Sequence, residues 1–392
     1  MLRALAPGAR ARVARALRAL LIVLSLGGCL TLPTLDPATR ARLDRELGQL
    51  LLVGFDGTND ADAPGLAPLV CEARVGGVLL FERNVVDAAQ VRALTARVRD
   101  HATACGVSAP LIAMDAEGGR VMRLSPHAGY TDTLSARALS EANDLALTEL
   151  EARRIGRMLR EAGITWDLAP VVDVGYNPAN TVIVGRERSY GANPLLVTAH
   201  ARAFVRGLHA EGVLTALKHF PGHGGSFGDS HTGVVDVTGT ADRDLELVPY
   251  RTLIAERAVD AVMTAHVFNR ALDRRYPATL SQSTVTRLLR HELGWNGVVV
   301  SDDVRMRAIE QYYGLGEAAV LALDAGVDVL LIVEDRLPDG RSAAAVARAA
   351  ILAALVDGRL TTGRVMESLA RVSALKHRAA VLALERARVP SR

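Results

Sequence analysis

Along most of the chain, short apolar runs alternate with longer stretches in which apolar residues recur every three or four positions. The first pattern is that of strands buried on both faces, the second that of helices burying one side. The runs fall at 49–55, 76–81, 109–115, 165–173, 215–219, 261–266, 297–302 and 327–332, which predicts eight strands. Helices are predicted among them over 141–162, 194–210, 244–258 and 315–325, and Gly163, Gly212 and Gly326 stand where a helix stops ahead of a strand. Asp36-Pro37 has the form of a helix start, a capping carboxylate followed by proline at the first helical position. Strict alternation implies a parallel sheet with helical crossovers, either open and doubly wound or closed into a barrel. Eight units favour an α/β fold with a single (β/α)8 TIM barrel over 43–390. The rival is an open nucleotide-binding sheet, but neither G-x-G-x-x-G nor G-x-x-x-x-G-K-S/T follows the first strand. Residues 341–388 read as closing helices with a charged tail, and no second domain is expected after the last strand.

The N-terminal pattern is different in kind. Residues 1–28 hold Arg3, Arg10, Arg12, Arg15 and Arg18, no acid, and a largely apolar run over 20–26, the pattern of a signal peptide. That run is far shorter than the roughly 20 residues of a membrane-spanning helix. It ends in Leu26-Gly27-Gly28-Cys29, which resembles a bacterial lipobox, whose cysteine is lipidated and becomes the new N-terminus. A plain signal peptide with an incidental cysteine is the alternative. Residues 29–42 would then form a tether.

Setting that segment aside changes the charge picture. Without its five arginines, 41 basic residues stand against 43 acidic ones, a balance of −2 where the whole chain carries +3. No basic stripe with interleaved aromatics survives, so nucleic-acid binding is not expected. Cys71 and Cys105 remain as an even pair in a compartment where disulfides can form, and the sequence leaves open whether they join or stay as two buried thiols.

In a barrel of this kind the loops after the strands build the active site. The third strand runs into Asp115-Ala116-Glu117-Gly118-Gly119-Arg120-Val121-Met122-Arg123, the fifth into Lys218-His219-Phe220-Pro221-Gly222-His223-Gly224, the sixth into His266 and the seventh into Ser301-Asp302-Asp303. Gly222, Gly224, Gly225 and Gly228 surround His223 and lead to Asp229-Ser230-His231, so this loop is expected to be mobile and able to swing a catalytic residue into place. His219 and His223 are four apart, as in zinc-binding helices, but Pro221-Gly222 breaks a helix between them, so no metal is expected. Lys218 has a rival role as a Schiff-base lysine of an aldolase-like barrel. A ligand to a substrate hydroxyl, or an ion-pair partner of Asp115, is the preferred reading.

These residues carry a resemblance. The run from Lys218 to Gly224 with Asp229-Ser230-His231 behind it, the Asp115 to Arg123 loop, Arg188-Ser189-Tyr190-Gly191 and Ser301-Asp302-Asp303 together resemble glycoside hydrolase family 3, in its β-N-acetylglucosaminidase (β-hexosaminidase) branch. The histidine-bearing loop is the most specific part, because the family's β-glucosidases use a glutamate from a separate domain. The chain departs from the pattern at Ala116 and Met122, where glutamine is more usual, and in the charged Gly185-Arg186-Glu187 ahead of Arg188.

The resemblance implies that Asp302 is the nucleophile, His231 the general acid/base and Asp229 its orienting partner, with Asp115, Arg123, Arg188, Lys218 and His219 binding the sugar's hydroxyls. Such groups suit the chemistry. Retaining glycoside cleavage needs a nucleophile below the anomeric carbon and an acid above the leaving oxygen, and a histidine titrating near neutrality can serve as that acid. Two positions apart in an extended segment, Asp229 and His231 share a face. Asp302 and Asp303 on a strand end point to opposite sides, which leaves Asp303 a supporting or helix-capping carboxylate. His223 and Glu117 read as loop-shaping hydrogen-bonding residues, and His266 as lining the floor or packing.

The implied activity is hydrolysis of terminal, non-reducing β-N-acetylglucosamine from peptidoglycan fragments (muropeptides) through a covalent glycosyl–aspartate, with no cofactor. The expected partners are a cell-wall saccharide and, through the N-terminal lipid at Cys29 alone, a membrane. A monomer exported to the bacterial cell envelope is expected. The alternatives are a phosphorylase of the same branch and a catalytically degenerate, wall-binding lipoprotein.

Overall fold

The computed structural model describes residues 36–230 and 232–388. The expected signal peptide, Cys29 and His231 lie outside the described residues. All eight predicted strands form: β1 (Leu51–Gly54), β2 (Gly77–Leu80), β3 (Leu111–Met114), β4 (Trp166–Asp167), β5 (Ala216–Phe220), β6 (Ala261–Thr264), β7 (Val298–Val300) and β8 (Leu330–Ile332). Their pairing is parallel throughout, in the order β8-β1-β2-β3-β4 and β7-β6-β5. Single parallel bridges, Trp166 to Leu214 and Val171 to Lys218 on one side and Val300 to Val329 on the other, join the two groups and close the barrel. Nearly every strand residue is buried, because the inner face packs on itself and the outer face is covered by helices.

The helices follow from amphipathic spacing and their caps. In Leu145–Glu161 the buried positions Thr148, Ala152, Ile155 and Leu159 recur at three to four residues, and Asp144 accepts hydrogen bonds from the Ala146 and Leu147 amides. The single helix predicted over 141–162 is in fact two. Asn143 takes the left-handed conformation (φ 50°) at the end of Ala136–Ala142, and Asp144 caps a new start. Pro194–Ala210 matches its prediction, with Asn193 as cap and proline in the first turn. The predicted 315–325 helix begins earlier, at Arg307, with a break at Gly314 (φ 66°). Of the long run at 165–173 only Trp166–Asp167 forms a regular strand; Pro170, which has no amide to donate, interrupts it, and Val171 adds the single bridge to Lys218. Residues 37–42, expected in the tether, belong to a helix, Pro37–Glu46, whose buried residue is Leu43.

Ala343–Val356 and Thr362–Ala387 close the fold. At the N-terminal end of β8, buried Asp328 receives Arg290, Arg364 and Arg371 at 2.7–3.2 Å and the Ser368 hydroxyl at 2.8 Å, which ties the last helix to that end of the barrel. Cys71 and Cys105 are joined by a disulfide with Cα atoms 5.5 Å apart, which answers the question the sequence left open. No helix among the described residues is long and apolar enough to cross a membrane.

Candidate active site

The predicted residues converge at the C-terminal ends of the strands, around a cavity of about 290 Å3. Asp115, Arg123, Arg188, Lys218, His219, Asp229 and Asp302 all line it, as do Glu117 and His223. A larger groove of about 520 Å3 runs between the segments after β1 and β8, past Pro64, Leu69, Arg336 and Arg348, and holds none of them.

The floor is an ionic network. Asp115 follows β3, and a hairpin of Ala116–Gly118 and Val121–Met122 returns the chain toward Arg123. Gly118 and Gly119 turn it with φ of 89° and 56°, and a side chain on either would strike Leu134 or Ser135, so only glycine fits. The hairpin places Glu117, 6% exposed, inside the site. Lys218 reaches from β5 to Asp115 Oδ1 and Glu117 Oε1, each at 2.7 Å. Arg188 grips both Glu117 oxygens at 2.7 Å in a bidentate pair. Burial works against both charges, yet Arg188 and Lys218 hold the Glu117 carboxyl far below the usual range. Burial would likewise discharge Lys218, but Asp115 and Glu117 outweigh it and raise its pKa. A lysine so held is a poor Schiff-base nucleophile, which removes the aldolase-like rival. Arg123 stands 3.7 Å from Asp115 Oδ2, with its guanidinium over the Phe81 ring.

His219 is fixed on both sides. One ring nitrogen, Nδ1, lies 2.6 Å from Asp173 Oδ2, and Nε2 lies 3.2 Å from Arg188 Nη2. Arginine can only donate, so Nε2 accepts and the Nδ1 proton goes to Asp173. The same carboxylate accepts the His223 amide at 2.8 Å. Burial raises its pKa, but the neighbouring His219 and His223 bring it below the ordinary value. Asp173 was not singled out in the sequence. Its signal was its position, the polar end of the fourth apolar run, like Asp115 at the end of the third. Asp167, buried in β4 beside this network, has its pKa raised well above normal, chiefly by burial.

Around β7, the Asp302 and Asp303 side chains diverge in use. Both line the cavity, so the expectation that only one of them would face it does not hold. Asp303 Oδ1 accepts the backbone amides of Arg305 and Val333 at 3.2 and 3.1 Å, a supporting role of the kind expected, and burial pushes its pKa up to about 6. His266 is buried and its Nε2 donates to the Asp303 carbonyl at 2.8 Å, so it braces this turn from below.

The glycine-rich loop after β5 differs from its expected mobility over its first half. Residues 222–226 are buried. Asn180 Nδ2 donates to the carbonyls of His223 and Gly224 at 2.8 and 3.1 Å, and Asn177 Nδ2 to that of Ser226 at 2.9 Å. A Cβ on Gly224 would lie 1.9 Å from the Val174 carbonyl oxygen, so here glycine serves close approach. Beyond Ser226 the chain comes to the surface at Phe227, 65% exposed, and is buried again at Ser230. Among the described residues no group of three or more His, Cys, Asp or Glu side chains is placed to hold a metal ion.

Comparison with known proteins agrees in family and fold. The sequence profile described as the glycosyl hydrolase family 3 N-terminal domain matches residues 42–375. The chain is 36% identical over 333 residues to "Beta-hexosaminidase A" of Pseudoalteromonas piscicida, covering 80% of this chain and 55% of that protein. It is 40% identical over 310 residues to "Beta-hexosaminidase LpqI" of Mycobacterium tuberculosis, covering 76% and 74%. Among solved structures, a family 3 β-N-acetylglucosaminidase from a Paenibacillus species superposes with a TM-score of 0.80 at 41% identity, covering 86% of this chain and 63% of that one. The chain thus spans just over half the length of the Pseudoalteromonas protein and under two thirds of the Paenibacillus one.

Proposed function

This chain belongs to glycoside hydrolase family 3, and we propose that it is a retaining β-N-acetylhexosaminidase that removes terminal, non-reducing β-N-acetylglucosamine from peptidoglycan-derived fragments. The observation that carries this is the meeting of Asp302 and Asp229 with Asp115, Arg123, Arg188, Lys218 and His219 around one cavity of about 290 Å3. Small-molecule sites run from about 300 to 1,000 Å3. A cavity at the foot of that range has room for one sugar ring, which suits removal of a single terminal residue.

In the proposed reaction the Asp302 carboxylate attacks C1 of the sugar as the bond from C1 to the departing oxygen breaks, and His231 gives that oxygen its proton. A water then attacks C1 and passes its proton to His231 while the bond to Asp302 breaks. Two inversions return the original configuration. Asp229 orients His231 and supports its charged form. Asp115, Arg123, Arg188, Lys218 and His219 hold the ring by its hydroxyls. The fixed charges of the floor suit this, because they are already ordered before the sugar arrives.

The named relatives support the amino sugar, since two are β-hexosaminidases and one a β-N-acetylglucosaminidase. The Cys71–Cys105 disulfide supports an oxidising compartment, and with the proposed signal peptide and lipidated Cys29 it supports a place at the bacterial cell envelope. The test is an aryl β-N-acetylglucosaminide against the matching β-glucoside, followed by trapping and mapping of a covalent 2-acetamido-sugar adduct. The acetamido substrate is expected to be preferred and the adduct to sit on Asp302. His231→Ala is expected to lower kcat by about 10²–10⁴-fold. Preference for the glucoside overturns the sugar assignment. A rate that depends on phosphate, with a sugar 1-phosphate as product, replaces hydrolysis by phosphorolysis.

A further inference from the structure

Behind the catalytic loop lies a buried carboxyl that the proposed reaction does not use. Glu246, 3% exposed, sits in the first turn of the helix Arg243–Ala255, which packs against the root of the loop after β5. Its Oε1 accepts the Gly225 amide at 3.0 Å and lies 3.0 Å from the Tyr176 hydroxyl. Gly222, at φ 136°, presses on the other oxygen: a Cβ there would stand 2.3 Å from Glu246 Oε2. A Cβ on Gly225 would stand 2.2 Å from the Tyr176 hydroxyl. The carboxyl and the phenol therefore fill a hollow that these two glycines leave.

Counting protons decides the state of the carboxyl. The Tyr176 hydroxyl accepts the Asp242 amide at 2.9 Å and lies 2.9 Å from the Thr240 carbonyl. A carbonyl and an ionised carboxylate can both only accept, and the phenol has a single proton to give between them. The 2.9 Å contact to Thr240 and the 3.0 Å contact to Glu246 are both hydrogen bonds at once only if Glu246 supplies a second proton. Its hydroxyl oxygen retains a lone pair for the Gly225 amide. The groups facing Glu246 from each side agree, for they are the acids Asp173 and Asp242 and the phenols Tyr176 and Tyr250. An ionised Glu246 would face the two acids Asp173 and Asp242.

We propose that Glu246, in its protonated form, is a positioning residue that latches residues 222–225 onto Tyr176 and so seats the loop leading to Asp229. The proposal rests on the hexosaminidase reading for its effect on rate. Burial first, and then Asp173, push the Glu246 carboxyl up to about 8. Above that pH the latch loses its proton and its bond to Tyr176, and a second buried negative charge appears beside Asp173. Misplacing a catalytic group by about 1 Å can cost about a hundredfold in rate, so activity falls on the alkaline side.

The experiment compares wild type, Glu246→Gln and Glu246→Ala by kcat across pH 6–10 and by thermal unfolding across pH 4–9. The glutamine is neutral at every pH, and with its oxygen in the place of Oε1 it still accepts the Gly225 amide, though it has no proton there for Tyr176. It is expected to retain kcat within about threefold near pH 7 and to lose the alkaline fall centred near 8, whereas alanine lowers kcat about tenfold or more at every pH. The stability readout does not depend on the substrate. Between roughly 4.5 and 8 the folded wild type binds a proton that the unfolded chain does not, so its stability falls as pH rises through that window, and the glutamine variant lacks that fall. An identical alkaline limb and identical pH–stability curve in wild type and Glu246→Gln overturn the protonated latch. A Glu246→Ala protein that folds and keeps wild-type kcat overturns the positioning role. If no variant cleaves any aryl hexosaminide, the function reading fails, and the stability curves alone decide whether Glu246 carries the proton.

Discussion

At the scale of single residues, the site is governed by which charges are paired. Glu117 is the centre of the floor, holding Lys218 at 2.7 Å and both arms of Arg188. Glu117→Gln keeps the shape and removes the charge, which leaves a buried guanidinium without its anion. Breaking a buried pair in this way costs about 3–5 kcal/mol, so we expect a stability loss of that order in denaturant unfolding, with a raised KM as Arg188 and Lys218 drift. The pH dependence has the opposite sign to that of Glu246. Because the Glu117 carboxyl is held below its unfolded value, its contribution is complete above about 4.5 and is lost as pH falls below that. Wild type should therefore lose more stability than Glu117→Gln on acidification from pH 5. Equal slopes for the two proteins would show that the pair carries no net energy.

At the scale of elements, the strands arise from apolar runs and the helices from caps and periodicity, but one helix depends on a link made elsewhere. The short helix Leu66–Cys71 is only six residues long, below the length at which a helix holds itself. The bond from Cys71 to Cys105 fastens its end to the end of the helix Ala88–Ala104. Closing a loop with a sequence separation of 34 residues stabilises by about 3–4 kcal/mol in the chain-entropy view. The Cys71→Ser, Cys105→Ser double variant is expected to lose that much in urea unfolding, and wild type to lose the same on reduction. A variant as stable as wild type would mean that the bond adds nothing beyond packing already present.

At the scale of the molecule, the barrel separates its two ends by task. Chemistry-bearing side chains gather at the C-terminal ends of the strands, and the N-terminal end carries fastening pairs, Asp328 with three arginines and Asp260 with His209 at 2.6 Å. Asp328→Asn leaves those arginines uncompensated at the end away from the cavity. It is expected to destabilise by about 3–5 kcal/mol while kcat and KM of the folded enzyme stay at wild-type values. A changed KM would show that the two ends are coupled.

The sequence by itself determined the eight strands, the closing helices and most of the residues that line the cavity, because strand burial, helix periodicity and polar residues at strand ends are local patterns that one chain displays in order. Asp115, Lys218 and Asp302 were legible for that reason. What only the tertiary structure decided was pairing between distant segments: the Cys71–Cys105 bond, the grip of Glu117 on Lys218 and Arg188, and Asp173 as the common support of His219 and His223. It also reversed the meaning of the glycines at 222–225, which look like flexibility in sequence and prove to be close contacts with Glu246, Val174 and Tyr176. Glycine permits both motion and close approach, and only the neighbours that crowd it show which of the two a fold has used.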